Sequence, residues 1–197
     1  LDLPCLTPGK GDDPAVLERL RSAPPDFVFS FYYRHLLPDA MLLMARRGAL
    51  NMHGSLLPRY RGRAPVNWAV LHGETETGAT LHHMVVRADA GDIVDQMAVP
   101  ILPDDTAAEV MRKVTVAAEA VLVRSLPALI AGTAPRRPQR IEPGQYFGRR
   151  RPEDGRHPDR QHRQLQGRRP QEGADDGVAA RGSFARRLPS LQGRSDV

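Results

Sequence analysis

The stretch that decides the fold is DFVFSFYYRHLLPDAMLLMARRGALNMH, residues 26–53. It begins with an aromatic and β-branched run over 26–31, which is typical of a buried strand. Pro38 and the apolar residues after it predict a helix that ends near residues 46–48. A second apolar run over 49–53 predicts another strand. Strand, helix and strand with short connections predict a βαβ unit, and therefore an α/β fold with a mostly parallel sheet flanked by helices.

Further elements follow on both sides of this unit. Asp13 and Pro14 are typical of an N-cap and a first helical position, so a short helix should precede the first strand. The pattern predicts a helix over 65–72 and strands over 79–85 and 93–101. The capping box Thr106-Ala-Ala-Glu109 should open the longest helix, which runs towards Gly132 and covers one face of the sheet with Val110, Val114, Val121 and Leu129.

The charge is confined to one end of the chain. A net charge of +5 would ordinarily suggest a nucleic acid or an anionic membrane as partner. Residues 1–148 hold 16 basic and 16 acidic residues, whereas residues 149–197 hold 12 Arg and seven acidic residues. We therefore expect one catalytic domain over 1–148 and an Arg-rich tail over 149–197, disordered because it lacks the apolar residues of a core.

The cysteine content and the length of the apolar runs indicate the cellular location of the protein. Cys5 is the single cysteine of the sequence and has no ligand neighbours at zinc spacing, which favours a reducing compartment. No apolar run approaches the roughly 18 residues that would span a bilayer, and the N-terminus lacks the layout of a signal peptide. We expect a cytoplasmic protein with no membrane partner.

Polar residues stand at the predicted strand ends. Asn51 and His53 are two apart on one strand, so their side chains should share a face. Asp89 stands beside a glycine turn near another strand end. In acyl transfer to an amine, the Asn51 amide would stabilise the oxyanion and His53 would shuttle the proton. Asp89 would orient the His53 ring and raise its pKa.

Each of these residues also has a simpler interpretation. An Asn or an Asp next to glycine is commonly a turn former, and a lone His is commonly a satisfied core or surface group. Their occurrence together with the HGSLLP loop, residues 53–58, favours catalysis. His82 and His83 are not expected to bind a metal with His53, because neighbouring strand residues point to opposite faces.

The sequence resembles one enzyme family. The runs FSFYYRHLLP, NMHGSLLPRYRGRAPVNWAVLHGETETGATLHHMV and RADAGDIVDQ are similar to the formyltransferases that use 10-formyltetrahydrofolate, particularly the branch that formylates UDP-4-amino-4-deoxy-L-arabinose for lipid A modification and polymyxin resistance. The resemblance implies a Rossmann-like fold and catalytic roles for Asn51, His53 and Asp89. It also implies that Arg63 contacts the substrate, and that the folate pocket is lined by His35, Leu36, Leu37, Val85, Val86, Arg87, Ala88 and Asp89.

Alternatives remain open at this point. The methionyl-tRNA formyltransferases share the Asn, His and Asp arrangement, but a tRNA-binding protein should show a basic face, and residues 1–148 are neutral. A different class of function is an inactive fragment whose Arg-rich tail binds nucleic acid.

The resemblance also bears on the two ends of the chain. Similar proteins carry further strands upstream, so we expect a catalytic domain that is incomplete at its N-terminus and inactive or unstable alone. A shifted reading frame beyond Arg156 is expected to explain the tail, and translating the other two frames would test it.

Overall fold

The computed structural model describes residues 5–7, 13–33, 35–143, 145–151 and 154. These residues form helices and strands in the following chain order: α1 (Pro14–Ser22), β1 (Phe27–Phe31), α2 (Asp39–Met44), β2 (Gly48–His53), β3 (Arg61–Gly62), α3 (Pro65–Leu71), β4 (Glu76–His83), β5 (Ile93–Pro100), α4 (Ala107–Ala131) and β6 (Tyr146–Phe147). The predicted α/β class is confirmed. The tail predicted over 149–197 lies outside the described residues, apart from 149–151 and 154.

The central sheet has four strands in the order β1-β2-β4-β5. β1 and β2 are parallel and joined through α2, as the βαβ prediction requires. β2–β4 and β4–β5 are antiparallel, so the expectation of a mostly parallel sheet is wrong for the described residues. For β4 and β5 the reason is their connection, residues 84–92, which is too short for the helical crossover that parallel strands need.

Helix α4 covers one face of this sheet. Its N-cap Thr106 and Glu109 form the predicted capping box, and Gly132 ends it in a left-handed conformation with φ +73°. All four residues predicted to face the sheet are buried: Val110, Val114, Val121 and Leu129. They pack on Leu50, Leu81 and Val94 in the main core.

The length and composition of α4 correct one expectation. Among the described residues, α4 is the one helix long and apolar enough, by length and composition alone, to cross a membrane. The expectation that no run approached this length overlooked it, because charged residues such as Glu119 and Arg124 interrupt its apolar sequence. Its apolar stripe is buried against β4 and β5, which is how the core helix of a globular protein packs.

A second, two-stranded sheet was not predicted. The short strands β3 and β6 pair in parallel, with Arg61 opposite Tyr146 and Gly62 opposite Phe147. An aromatic cluster adjoins this pair: Tyr60, Trp68, His72 and Phe147. This small sheet lies beside the polar residues of β2, so it bears directly on the candidate site.

Candidate active site

The two faces of β2 are chemically distinct. Leu50 and Met52 point into the main core beneath α4. The strand's two-residue repeat turns Asn51 and His53 to the opposite face, as predicted. The antiparallel register places His82 of β4 opposite Asn51 and Thr80 opposite His53. Polar side chains therefore occupy neighbouring positions on the face that α4 leaves uncovered.

The segment between β4 and β5 brings Asp89 onto this face. Its Oδ1 lies 3.5 Å from His53 Nδ1 and 3.4 Å from Asn51 Nδ2, which donates to it. The backbone N–H of Gly62 donates to Asp89 Oδ2 over 2.9 Å. Asp89 has a φ of +52°, a left-handed conformation that is strained for a residue with a Cβ. The structure thus brings together the three residues proposed from sequence.

The hydrogen bonds of His53 define its neutral tautomer. His53 Nε2 lies 2.9 Å from the backbone carbonyl oxygen of Tyr60. A carbonyl oxygen only accepts, so Nε2 carries the hydrogen and donates it. The unprotonated nitrogen of neutral His53 is therefore Nδ1, which faces Asp89. A proton taken up at Nδ1 is stabilised at once by the carboxylate.

The pKa of His53 does not follow the sequence-based expectation. Asp89 was expected to raise it. Burial is the largest influence and lowers the His53 pKa below its ordinary value of 6.5, although Asp89 opposes this effect. Only 6% of His53 is exposed, and desolvation penalises the imidazolium. His53 is consequently a neutral base at pH 7 and not a resident cation.

Asp89 remains ionised in this buried setting. Burial is again the largest single influence and raises its pKa. The opposing interactions with His82, His53 and the Gly62 N–H together outweigh burial and lower the pKa of Asp89 to about 2. A permanent negative charge thus lies beside the base nitrogen of His53.

His82 belongs to the site, although sequence reasoning missed it. His82 Nδ1 donates to the carbonyl oxygen of His83 over 2.9 Å, so the other ring nitrogen, Nε2, faces Asn51 and Asp89. Asn51 Nδ2 donates to this nitrogen over 3.1 Å. His82 Nε2 also lies 3.6 Å from Asp89 Oδ1. His82 could have been found only by predicting that β2 and β4 pair as antiparallel strands. The expectation of a mostly parallel sheet did not place His82 opposite Asn51.

A buried network fixes the loop that follows His53. Thr80 Oγ1 donates to the Ser55 carbonyl over 2.6 Å and accepts from Leu57 N–H at 3.1 Å. The Gln96 side-chain amide donates to Thr80 Oγ1 and to the Leu57 carbonyl, both over 2.8 Å. These bonds satisfy polar backbone groups that burial would otherwise leave unpaired. The sheet thereby holds the HGSLLP loop in place.

The residues expected to line a folate pocket lie on two separate connections. His35, Leu36 and Leu37 lie between β1 and α2, and Leu36 is 79% exposed. The remaining members lie between β4 and β5, beyond the end of β4 at His83: Val85, Val86, Arg87, Ala88 and Asp89. Val86 is 69% exposed. Apolar side chains at this exposure leave surface available for a ligand.

Arg63 and the two adjacent histidines also occupy defined positions. Arg63 follows β3; its backbone N–H donates to the Phe147 carbonyl over 2.8 Å, while the residue itself is exposed. His82 faces Asp89, whereas His83 lies on the other side of β4, near Gly48. Across the described part of the chain, no group of three or more His, Cys, Asp or Glu is arranged to hold a metal ion.

Fold and site together define an α/β protein whose central sheet carries an Asn, His and Asp constellation suited to acyl transfer. The chain belongs to the formyl transferase family, whose profile matches residues 3–126.

Three solved structures illustrate this kinship. The chain is similar to the formyltransferase PseJ from Anoxybacillus kamchatkensis, solved with UDP-4,6-dideoxy-4-formamido-L-AltNAc and tetrahydrofolate, at 27% identity and a TM-score of 0.56 over 62% of this chain and 64% of that one. It is similar to an N-formyltransferase from Helicobacter canadensis, solved with folinic acid and dTDP-3-aminofucose, at 27% identity and a TM-score of 0.55, covering 61% of this chain and 44% of that one. It is similar to glycinamide ribonucleotide transformylase 1 from Symbiobacterium toebii at 29% identity and a TM-score of 0.58, covering 65% of this chain and 62% of that one. The chain thus spans less than two thirds of the length of each.

Proposed function

We propose that the protein transfers a formyl group from 10-formyltetrahydrofolate to the amine of a nucleotide-linked amino sugar. The observation that carries this proposal is the buried neutral His53, whose base nitrogen Nδ1 faces the ionised Asp89 beside the amide of Asn51. Family membership fixes the class of group transferred, and two of the similar proteins were solved with a folate and a nucleotide sugar. Folate is therefore the proposed co-substrate, without a metal.

In the proposed reaction, the sugar amine attacks the formyl carbon, a new C–N bond forms, and the carbonyl oxygen becomes negatively charged. The Asn51 amide donates to this oxygen. Its hydrogen bond to Asp89, at 3.4 Å, is longer and weaker than its 3.1 Å bond to His82, so the bond to Asp89 is the one that the substrate oxygen would replace. A positioned donor of this kind contributes roughly 10²- to 10³-fold in rate.

The proton follows a path through His53. The attacking nitrogen loses a proton to Nδ1, and the resulting imidazolium is held between Asp89 and the Tyr60 carbonyl. When the bond between the formyl carbon and the folate nitrogen breaks, His53 returns the proton to that departing nitrogen. The products are the formamido sugar and tetrahydrofolate, so protons and charges balance.

The proposal also identifies the amino sugar that accepts the formyl group. We infer that it is UDP-4-amino-4-deoxy-L-arabinose, which would place the protein in the cytoplasm in lipid A modification and polymyxin resistance. The FYYRH sequence of residues 31–35 and the neutral balance of residues 1–148 support a sugar acceptor over methionyl-tRNA. The exposed Arg63 is the proposed contact for the nucleotide phosphates, and the exposed residues of the 35–37 and 85–89 segments are the proposed folate contacts.

The test is an acceptor comparison on the intact open reading frame that encodes this chain. The enzyme is supplied with 10-formyltetrahydrofolate and either UDP-4-amino-4-deoxy-L-arabinose or charged initiator tRNA. We expect the sugar to gain one formyl group by mass spectrometry and the tRNA to remain unmodified. Formylation of the tRNA alone would replace the acceptor assignment, and transfer to neither would reject both.

A further inference from the structure

β6 lies outside the residues that the family profile matches, which end at 126. It nevertheless pairs with the backbone beside the candidate active site. Arg61 N–H donates to the Gln145 carbonyl over 3.0 Å, and Arg63 N–H donates to the Phe147 carbonyl over 2.8 Å. We call the segment of residues 145–148 the β6 brace. Its two hydrogen bonds flank Gly62 on both sides.

The first action of the brace is on Asp89. Gly62 N–H donates to Asp89 Oδ2, so the orientation of the Gly62 peptide helps to hold this carboxylate, together with the Asn51 donor to Oδ1. Gly62 has a φ of +103°, and a Cβ there would lie 2.2 Å from the Phe147 carbonyl oxygen. The two backbones therefore approach as closely as glycine allows. This contact leaves the peptide little freedom to rotate away from Asp89.

The second action is on His53. Phe147 stacks on the Tyr60 ring with centroids 4.9 Å apart and an interplanar angle of 29°. The Tyr60 hydroxyl donates to Glu74 Oε1 over 2.6 Å, so the ring is fixed at its edge as well as on its face. The carbonyl of the same residue accepts from His53 Nε2. Fixing Tyr60 thus fixes the acceptor that defines the His53 tautomer.

We propose that the β6 brace is a positioning element of the active site, and that Phe147 is the residue through which it holds both the Tyr60 carbonyl and the Gly62 N–H. Phe147 acts on His53 Nε2 through Tyr60 and on Asp89 Oδ2 through Gly62, without touching the reacting atoms. The inference rests on the proposed function for its catalytic meaning. Its structural content, the tautomer of His53, does not depend on the reaction.

The test compares three variants in the intact protein. Phe147→Ala removes the stacking, Phe147→Leu keeps most of the apolar volume, and Phe27→Ala is the matched control. Phe27 is a partly buried aromatic residue of the main core that packs beneath the Arg47 guanidinium, away from the brace. Nitrogen-15 NMR of the histidine rings reports the tautomer of His53, and steady-state kinetics report kcat and KM.

For Phe147→Ala we expect roughly a 10- to 100-fold fall in kcat, because misplacement of a catalytic group by about 1 Å reduces rates on this scale. The KM values for 10-formyltetrahydrofolate and for the sugar nucleotide should each change less than about twofold. The nitrogen-15 shifts of His53 should move away from the Nε2–H tautomer, and Phe147→Leu should recover part of both. Phe27→Ala should change neither.

A folded Phe147→Ala with wild-type His53 shifts and an unchanged pH profile of kcat would overturn the proposal. If Phe147→Ala does not fold, wild-type values for Phe147→Leu in both measurements would overturn it instead. If the wild type transfers no formyl group, the proposed function fails while the NMR comparison still decides the brace.

Discussion

Replacing Gly62 with alanine should damage the active site without removing a single polar side chain. The new Cβ would lie 2.2 Å from the Phe147 carbonyl oxygen and 3.1 Å from its carbon, so the side chain cannot be accommodated unless β3 and β6 separate. The change also forces a φ of +103° on a residue with a Cβ. Gly148→Ala is the matched control, because a Cβ at Gly148 meets nothing within 4 Å.

The expected losses of stability and activity in Gly62→Ala follow from the backbone strain and the hydrogen bonds that are lost. Left-handed strain costs about 1–3 kcal/mol. Separation of the strands loses the Arg61 and Arg63 cross-strand hydrogen bonds, each worth about 1 kcal/mol. The free energy of unfolding should therefore fall by roughly 3–5 kcal/mol. Loss of the Gly62 bond to the ionised Asp89, worth about 1.5–3 kcal/mol, should lower kcat/KM by roughly 10- to 100-fold in the folded fraction.

Urea unfolding followed by circular dichroism gives the stability of both variants, and formyl-transfer kinetics below the unfolding transition give the rate. Gly148→Ala should stay within about 0.5 kcal/mol of the wild type. A Gly62→Ala protein with wild-type stability and wild-type kcat/KM would refute the reasoning, because it would mean that β3 and β6 do not approach as described.

Three further predictions concern stability. Thr80→Val keeps the shape of the side chain but leaves the Ser55 carbonyl and the Leu57 N–H unpaired, so unfolding free energy in urea should fall by about 2–4 kcal/mol. Asp89→Asn should remove a pH-dependent contribution to the free energy of unfolding. Because the Asp89 pKa is about 2 and its ordinary value is 3.8, this contribution of about 2 kcal/mol is fully present above pH 4 and is lost as the pH falls towards 2. Ala64→Gly should raise the unfolding free energy by up to about 1 kcal/mol, because Ala64 is held at φ +52° and glycine removes the left-handed strain.

The controls for these three are specific. For Thr80, a Thr80→Ser variant keeps the hydroxyl and should recover most of the loss. For Asp89, the difference between wild type and variant should shrink between pH 4 and pH 2, and a constant difference would contradict the pKa. An Ala64→Val protein as stable as the glycine variant would show that position 64 carries no strain.

Helices and strands with strong local signals could be predicted from the sequence. The capping box fixed the start of α4 at Thr106, and the two-residue period of β2 put Asn51 and His53 on one face. Short strands could not be predicted in this way. β3 and β6 contain two residues each, and contact across more than 80 residues of chain stabilises them instead of any local propensity.

The site was only partly predictable for a related reason. His82 joins Asn51 and Asp89 through an antiparallel register, and an Asn-x-His pattern gives no information about which strand pairs with it. The pKa of His53 needed the depth of burial, because desolvation and the Asp89 charge act in opposite directions and only the structure shows which is larger. The type of chemistry could therefore be predicted from the sequence, whereas the burial and charges around His53 could not.

The most direct test of the proposed reaction is the transfer itself in a His53 variant. The intact open reading frame, wild type and His53→Ala, is incubated with 10-formyltetrahydrofolate and UDP-4-amino-4-deoxy-L-arabinose, and the formamido product is measured by mass spectrometry. We predict product from the wild type and a rate lower by roughly 10²- to 10⁴-fold in a folded His53→Ala protein. Equal rates in the two proteins would contradict the assignment of His53 as the proton shuttle.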